Sequence, residues 1–503
     1  MKNEPSTVWN PSSPQAALPS PETGGDGCGP TPPLVQALIE YNHLQRRRYH
    51  VPAHAGFKLL PAAWDLPLDP YCYDLTELDG LDVLSEPTEA LLAAQTQVAQ
   101  LFDVAHTFFL INGASVGLMA ALLSALRPGE TVLLPRNVHR AVLSGLILTG
   151  ARPVWFLPDR LPDWGLWGAV TPAQVEAQLN AHPEATALVI TSPTYEGVGS
   201  DVAALAQLCL ARGVLLIVDE AHGSLWPFSS ALPTSAAHLG ADVVIHSMHK
   251  SGGSLTQSAL AHLPKGSRVD PVVFQQCLNT LQTTSPSYLL MASLEATCHA
   301  LASPDGQRRI VSLIEQTQSL RDTWKAQLNT FRLFDGREQQ IPFCDPCKLY
   351  LIHPYEAGDD WGPRLEADRQ MAYESASPYG VLYLANLGLQ SEDWAYLQAS
   401  LLEEDDCASV SDATASPVRA SLTEQNPAVL LPDMVMLPRD AFFAPGERVT
   451  SAEALDRIVK ETVVHCPPGI PVLLPGERVL PAHLPFLPPQ GLLVVSDALH
   501  APV

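Results

Sequence analysis

Positive charge is scarce in this chain. Its 503 residues carry 29 Lys and Arg against 53 Asp and Glu, a net charge of −24. A surface this acidic repels phosphate backbones and anionic membranes, which argues against nucleic acid as a partner. Acidity also attracts cationic substrates, although it often serves only solubility. Cysteine is sparse too. Nine residues, an odd count, are too few for a disulfide scaffold and fit a reducing compartment. No run of about 18 apolar residues is free of charge. The best candidate, residues 141–157, is interrupted by Arg152 and Pro153. The first ten residues, MKNEPSTVWN, lack the apolar segment of a secretory signal. The expectation is a cytoplasmic protein with no membrane span. No internal repeat is visible.

Apolar residues are plentiful, at 46% of the chain with 16% charged. That is globular composition, and the length corresponds to about three domain-sized units. Residues 1–33 are rich in Pro, Ser and Gly and read as a flexible tail. Residues 34–48 read as a helix ending in Arg46-Arg47-Arg48, a basic patch suited to a solvated or inter-subunit face. From 86 to about 262, helical and strand patterns alternate. Helices at 88–102, 115–127, 138–149, 171–180 and 201–212 are interleaved with apolar runs at 105–111, 131–135, 153–157, 186–192, 214–220 and 242–247. Short continuous apolar runs between helices indicate strands buried on both faces of a mostly parallel sheet. This predicts an α/β major domain over 34–305, a helical connection over 306–335 and a smaller C-terminal α/β domain over 336–503. Within the last, residues 403–428 are acidic and rich in Ser and Ala, and read as a surface loop or disordered insert.

Ligands in such sheets sit at the carboxyl ends of the strands, where three polar clusters stand out. The run 105–111 leads into Asn112-Gly113-Ala114-Ser115 and a helix. Small residues there let backbone N–H groups reach a phosphate, although a plain tight turn would look the same. The run 214–220 ends in Asp219-Glu220-Ala221-His222-Gly223. A carboxylate there is costly unless a cation answers it, or unless it is simply a helix cap. The next run ends in Ser247-Met248-His249-Lys250. A buried Lys loses its proton readily, as a Schiff-base Lys must; an exposed loop Lys is the ordinary alternative. Together, a phosphate cradle, a carboxylate and an amine match the phosphate, ring nitrogen and aldehyde of pyridoxal phosphate. Arg136-Asn137-Val138-His139 adds an imidazole able to stack on the ring.

At these residues the chain resembles the Orn/Lys/Arg decarboxylase family, pyridoxal-phosphate enzymes of the aspartate-aminotransferase fold (fold type I). The resemblance spans about residues 35–480. It extends to Asp74-Leu75-Thr76-Glu77-Leu78 with Gly80-Leu81-Asp82, Ser192-Pro193-Thr194-Tyr195-Glu196-Gly197, Thr284-Ser285-Pro286-Ser287-Tyr288, Pro438-Arg439-Asp440-Ala441-Phe442 and Pro475-Gly476-Glu477. The resemblance implies that Lys250 binds the cofactor's aldehyde, Asp219 pairs with the ring nitrogen, His139 stacks on the ring and His222 lies beside it. Ala114, Ser115, Ser247 and His249 would surround the phosphate. Thr284 and Ser285 would reach the phosphate of the other subunit in a homodimer or higher oligomer. Glu477 is a weaker candidate for the substrate end. The implied activity is decarboxylation of arginine, lysine or ornithine to a polyamine or diamine precursor and carbon dioxide.

The chain departs from the family pattern in places. The usual Pro-Gly-His-Lys is Pro52-Ala53-His54-Ala55, Gly-Thr-Ser is Gly113-Ala114-Ser115, and Ala-His after the Asp219 motif is Ser224-Leu225. A Tyr is replaced by Cys466. These changes bear on selectivity more than on cofactor binding. An aminotransferase or aldolase-type lyase on the same scaffold remains an alternative, with Arg439 as its carboxylate clamp. So does an inactive pyridoxal-phosphate-binding protein. Cys344-Asp345-Pro346-Cys347 is a lone C-x-x-C without the second pair that a zinc site needs, so no metal is expected.

Overall fold

The computed structural model describes residues 30–43, 70, 73–337, 341–411, 431–465 and 470–496. The expected tail up to residue 29, Arg46-Arg47-Arg48, Pro52-Ala53-His54-Ala55, residues 412–428 and Cys466 lie outside the described residues.

A seven-stranded sheet organises the major domain. Its strands are β1 (His106–Leu110), β2 (Thr131–Pro135), β3 (Arg152–Phe156), β4 (Ala185–Thr191), β5 (Leu215–Asp219), β6 (Val243–His246) and β7 (Ala259–Leu263). Their order is β1-β7-β6-β5-β4-β2-β3. Strands β2 to β6 pair in parallel, whereas β7 runs antiparallel to both β1 and β6. The sequence pattern does not reveal β7. Only the short helix Met248–Ser251 and a loop separate it from β6, so the alternation of strand and helix fails there.

The strands are apolar throughout because both faces are covered. Leu216 and Val218 join one buried cluster, while Ile217 between them joins the other. This is the period-two alternation of a strand, with core on each side. Each such side chain contributes about 1.5–3 kcal/mol by leaving water. The covering helices are α1 (Pro33–His43), α2 (Ala90–Leu101), α3 (Gly113–Ala125), α4 (Arg140–Thr149), α5 (Pro172–Ala181), α6 (Val202–Arg212), α7 (Met248–Ser251), α8 (Pro271–Leu281) and α9 (Tyr288–Ala302). Their ends follow capping rules. Thr171 and Gln174 form a capping box on α5, Asp201 caps α6, and Gly213 closes α6 with φ at 71°. Asp82, buried, accepts N–H bonds from Val83, Thr88, Glu89 and Leu91, which explains the acidic residue before α2.

Helix α10 (Pro304–Gln327) leads to a second, antiparallel sheet. Its strands are β8 (Arg332–Leu333), β9 (Lys348–Ile352), β10 (Ser375–Ala376) and β11 (Val381–Leu384), in the order β8-β9-β11-β10. Helices α11 (Gly358–Arg369) and α12 (Ser391–Ser411) accompany it. Residues 403–411 are therefore helical, not part of a loop. Asp405, 1% exposed, accepts from the amides of Asn329, Thr330 and Phe331, and Glu403 and Glu404 pair with Arg369 and Arg364. Acidic residues that looked solvated are used as anchors.

The chain after residue 430 has its own strands and its own apolar cluster, which includes Ala454, Val459, Leu473, Val479 and Val494. The stretch predicted as one C-terminal domain thus divides into two units. Arg439 ties the second unit to the major domain by donating from Nη1 to the Leu148 carbonyl of α4.

Candidate active site

Register pairs Thr191 of β4 with Asp219 of β5, and Asp219 with Ile245 of β6, so three strands end abreast. The loops leaving this edge carry most of the residues singled out by sequence. Asp219 is 3% exposed, and its Oδ1 accepts the Ala221 N–H at 3.2 Å. Among the described residues it has no ion-pair partner. A buried carboxylate in that condition leaves room for a cationic group placed directly against it.

From β6 the chain passes through buried Ser247 into α7, which presents His249 and Lys250. The Ser247 carbonyl accepts from the Lys250 N–H at 3.0 Å and from the Ser224 hydroxyl at 2.9 Å. Ser224, a departure from the family pattern, therefore joins the loops after β5 and β6. His249 donates from Nδ1 to the Ser258 carbonyl at 3.0 Å. Burial pushes the Lys250 ammonium below its usual range, with Asp219 and Glu374 pulling the other way.

Lys250 Nζ lies 2.9 Å from Nε2 of His222. The other ring nitrogen, Nδ1, lies 2.8 Å from Nζ of Lys348, at the start of β9. Burial holds His222 well below the usual histidine range, and Lys348 and Lys250 add to the effect. The edge of the Tyr195 ring meets the imidazole, centroids 4.7 Å apart, and the Tyr195 hydroxyl donates to Glu374. Lys348, Tyr195 and Glu374 were not assigned roles from sequence. The available signal was a Lys opening the apolar strand KLYLI, where a cation is out of place.

His139 caps α4 by accepting the Ala141 N–H on Nδ1 at 3.1 Å. Burial lowers its pKa, with Asp219 opposing and Lys250 reinforcing the shift. Helix α3 begins at Gly113, and Asn112 makes no side-chain cap to the amides of its first turn, at Ala114 and Ser115. Close packing of α3 on the sheet requires Gly117. A Cβ there would lie 2.7 Å from Leu110 Cδ1 and 3.0 Å from Ile245 Cδ1.

Thr284 and Ser285 are exposed and make no hydrogen bond to this cluster within the chain. Gln282 just before them accepts the Ile111 N–H at 3.0 Å, so their loop leaves beside the end of β1. Glu477 makes no contact with Lys250, His222 or Asp219. It is fully buried, and both oxygens bind Arg136, at 2.5 and 2.8 Å. Arg439 is engaged at the α4 joint rather than near Lys250. Cys344 and Cys347 have thiols pushed upward by burial, the former to about 12.

A largely buried amine, a buried carboxylate without an ion-pair partner and an uncapped helix N-terminus share one sheet edge, and this donor set fits pyridoxal phosphate. The architecture is that of fold type I pyridoxal-phosphate enzymes, a mostly parallel sheet clothed in helices with a further C-terminal domain. Family comparison narrows the class. The Orn/Lys/Arg decarboxylase major domain matches residues 32–361, and the C-terminal domain of the same family matches 421–487. The chain belongs to the Orn/Lys/Arg decarboxylase family. It is 33% identical over 473 residues to an arginine decarboxylase of Halalkalibacterium halodurans, covering 90% of this chain and 92% of that one. It is 31% identical over 469 residues to an arginine decarboxylase of Bacillus subtilis, with the same coverage. Its fold superposes on lysine decarboxylase A from Pseudomonas aeruginosa with a TM-score of 0.77 at 21% identity, covering 90% of this chain and 74% of that one. Among the described residues, no helix is long and apolar enough to cross a membrane.

Proposed function

We propose that this chain is a pyridoxal-phosphate-dependent decarboxylase of a basic L-amino acid, with arginine the first substrate to test. The carrying observation is Asp219, buried without an ion-pair partner at the end of β5, within electrostatic reach of Lys250 on the short helix that follows β6. Relatives of matching length that bear the name arginine decarboxylase support the choice of substrate.

Bound pyridoxal phosphate supplies an aldehyde for the substrate amine and a ring that accepts the electron pair left when carbon dioxide departs. Lys250 would be the residue that holds that aldehyde. Asp219 keeps a proton on the ring nitrogen, which a buried carboxylate with no other cation is placed to do. The first turn of α3, at Ala114 and Ser115, holds the phosphate with Ser247 and His249. His139 covers one ring face. Lys250 or His222 returns a proton to the α-carbon. The active unit is a homodimer in which Thr284 and Ser285 reach the partner's site. Product analysis tests the reading: carbon dioxide and an amine support it, and a keto acid would refute it.

A further inference from the structure

His222 lies between two lysines, and its hydrogen-bonding capacity limits how they can be charged. A neutral imidazole has one donor and one acceptor nitrogen. An ammonium only donates, and only an uncharged amine can accept. With Nε2 at 2.9 Å from Lys250 Nζ and Nδ1 at 2.8 Å from Lys348 Nζ, the imidazole N–H must find an acceptor, so at least one of the two lysines is an uncharged amine.

Two observations put the charge on Lys348. Its Nζ stands 5.9 Å from the centre of the Tyr195 ring, within reach of a cation–π contact. Asp345, also buried, needs a cation. Its oxygens accept the Cys347 N–H at 2.9 Å and the Trp226 indole N–H at 3.3 Å, neither of them charged. The cations facing Asp345 are Lys348 and Arg321. Arg321 donates to the carbonyls of Pro346, Phe334 and Lys348. Lys348 is left to answer Asp345.

We propose that Lys348 is a positioning residue: as a buried ammonium it donates to His222 Nδ1, fixes the imidazole with its proton on Nε2, and so keeps Lys250 an uncharged amine. The inference rests on the reading of Lys250 as the lysine that takes the cofactor. An amine can add to an aldehyde with loss of one water, its two protons leaving with the aldehyde oxygen. An ammonium cannot. The second sheet, through β9, thereby sets the readiness of a lysine on the first.

The other ionisable groups around this chain of contacts are accounted for. Asp219 and Glu374 act on Lys250 and favour its charged form. His139 and His249 face His222. Burial pushes the Lys348 ammonium below its usual range and Lys250 adds to this, while Asp345, Glu374 and Cys347 pull the other way, and buried Glu196 senses Lys348. Replacing Lys348 by an uncharged residue also removes the charge that Asp345, Glu196 and Cys347 sense, and Lys348→Arg, which keeps that charge, is the control for them.

The test uses the full-length chain, stripped of cofactor, in wild-type, Lys348→Met and Lys348→Arg forms. Pyridoxal phosphate is added between pH 6 and 9.5, and the rate of adduct formation on Lys250 is read by absorbance, borohydride trapping and mass mapping. Losing the neighbouring cation frees His222 to accept from a Lys250 ammonium. The pH at half-maximal rate should then rise by about one unit in Lys348→Met, roughly a tenfold slower reaction on the acid side. Lys348→Arg, which keeps the charge, should stay near wild type. A Lys348→Met profile that overlays wild type would overturn the proposal. Should that variant not fold, ¹⁵N-histidine spectra of the wild type decide, with His222 assigned through His222→Gln. A protonated Nε2 supports the proposal and a protonated Nδ1 overturns it. Wild-type chain that forms no adduct on Lys250 at any pH would instead sink the cofactor reading.

Discussion

Arg136 and Glu477, 341 positions apart, form a two-point ion pair with both side chains fully buried. The Arg136 guanidinium also donates to the Val472 carbonyl at 3.1 Å and lies 5.2 Å from the centre of a Trp155 ring. Burial lowers His483 to about 4, and the Arg136 guanidinium adds to the shift. Arg136 leaves β2 three residues before His139, so the C-terminal unit is fastened next to the candidate site. Removing one partner from such a pair strands a buried charge, at a cost of about 3–5 kcal/mol. Glu477→Ala should lower the melting temperature by several degrees. In the protein that remains folded, KM for a basic substrate should change less than threefold. A large rise in KM with little loss of stability would return Glu477 to the substrate end.

Lys250→Ala should abolish turnover and the borohydride-reducible adduct together. Mass mapping checks this directly, since an adduct persisting on another lysine would move the anchor.

Asp219→Asn should still bind cofactor, because the phosphate and aldehyde contacts are untouched. An amide cannot hold the ring proton by charge, so kcat should fall at least a hundredfold, about 2.7 kcal/mol of lost transition-state stabilisation. Activity within a few-fold of wild type would contradict the role given to Asp219.

Much of this edge is legible in sequence because it follows apolar runs that end sharply. Asp219, Ser247 and Lys250 stand where buried strands terminate, and polar residues there have few structural reasons to exist. The second sheet's contribution is not legible. Lys348 meets His222 across 126 positions, and Glu374 meets Tyr195 across 179. No local periodicity encodes such contacts. The pairing of Glu477 with Arg136 is illegible for the same reason, since it depends on the fold of the last unit over the first. Strand β7 was missed because its polar flanks and short run resemble a loop, and its burial comes from β1 and β6 on either side.

Stability should carry the mark of Glu295. This buried carboxyl accepts the N–H groups of Leu34 and Val35 at the start of α1, and burial raises its pKa from 4.5 to about 7. A carboxyl raised on folding binds more protons in the native state than in the unfolded one between those values. Its contribution to stability therefore falls as pH rises from 4.5 to about 7. Glu295→Gln lacks that titration. Over this window its stability should gain on wild type by up to about 3 kcal/mol, whatever the constant offset from the altered hydrogen bonds. Denaturant melts at pH 5, 6, 7 and 8 measure the gap, and parallel curves would contradict the assignment.

Assembly can be tested by complementation. Lys250→Ala chains and Thr284→Ala/Ser285→Ala chains, each folded and inactive, are mixed under verified subunit exchange. A two-fold interface gives the hybrid one site with both an intact Lys250 and an intact donated loop, and random pairing predicts recovery of about one quarter of wild-type activity. No recovery would mean that the loop serves its own chain.

The most direct measurement is product analysis of purified full-length chain with added pyridoxal phosphate, given arginine, lysine and ornithine separately. The account predicts carbon dioxide and the corresponding amine in equal amounts from at least one of the three, with no keto acid. A keto acid, or no product from any of them while the Lys250 adduct forms normally, would contradict it.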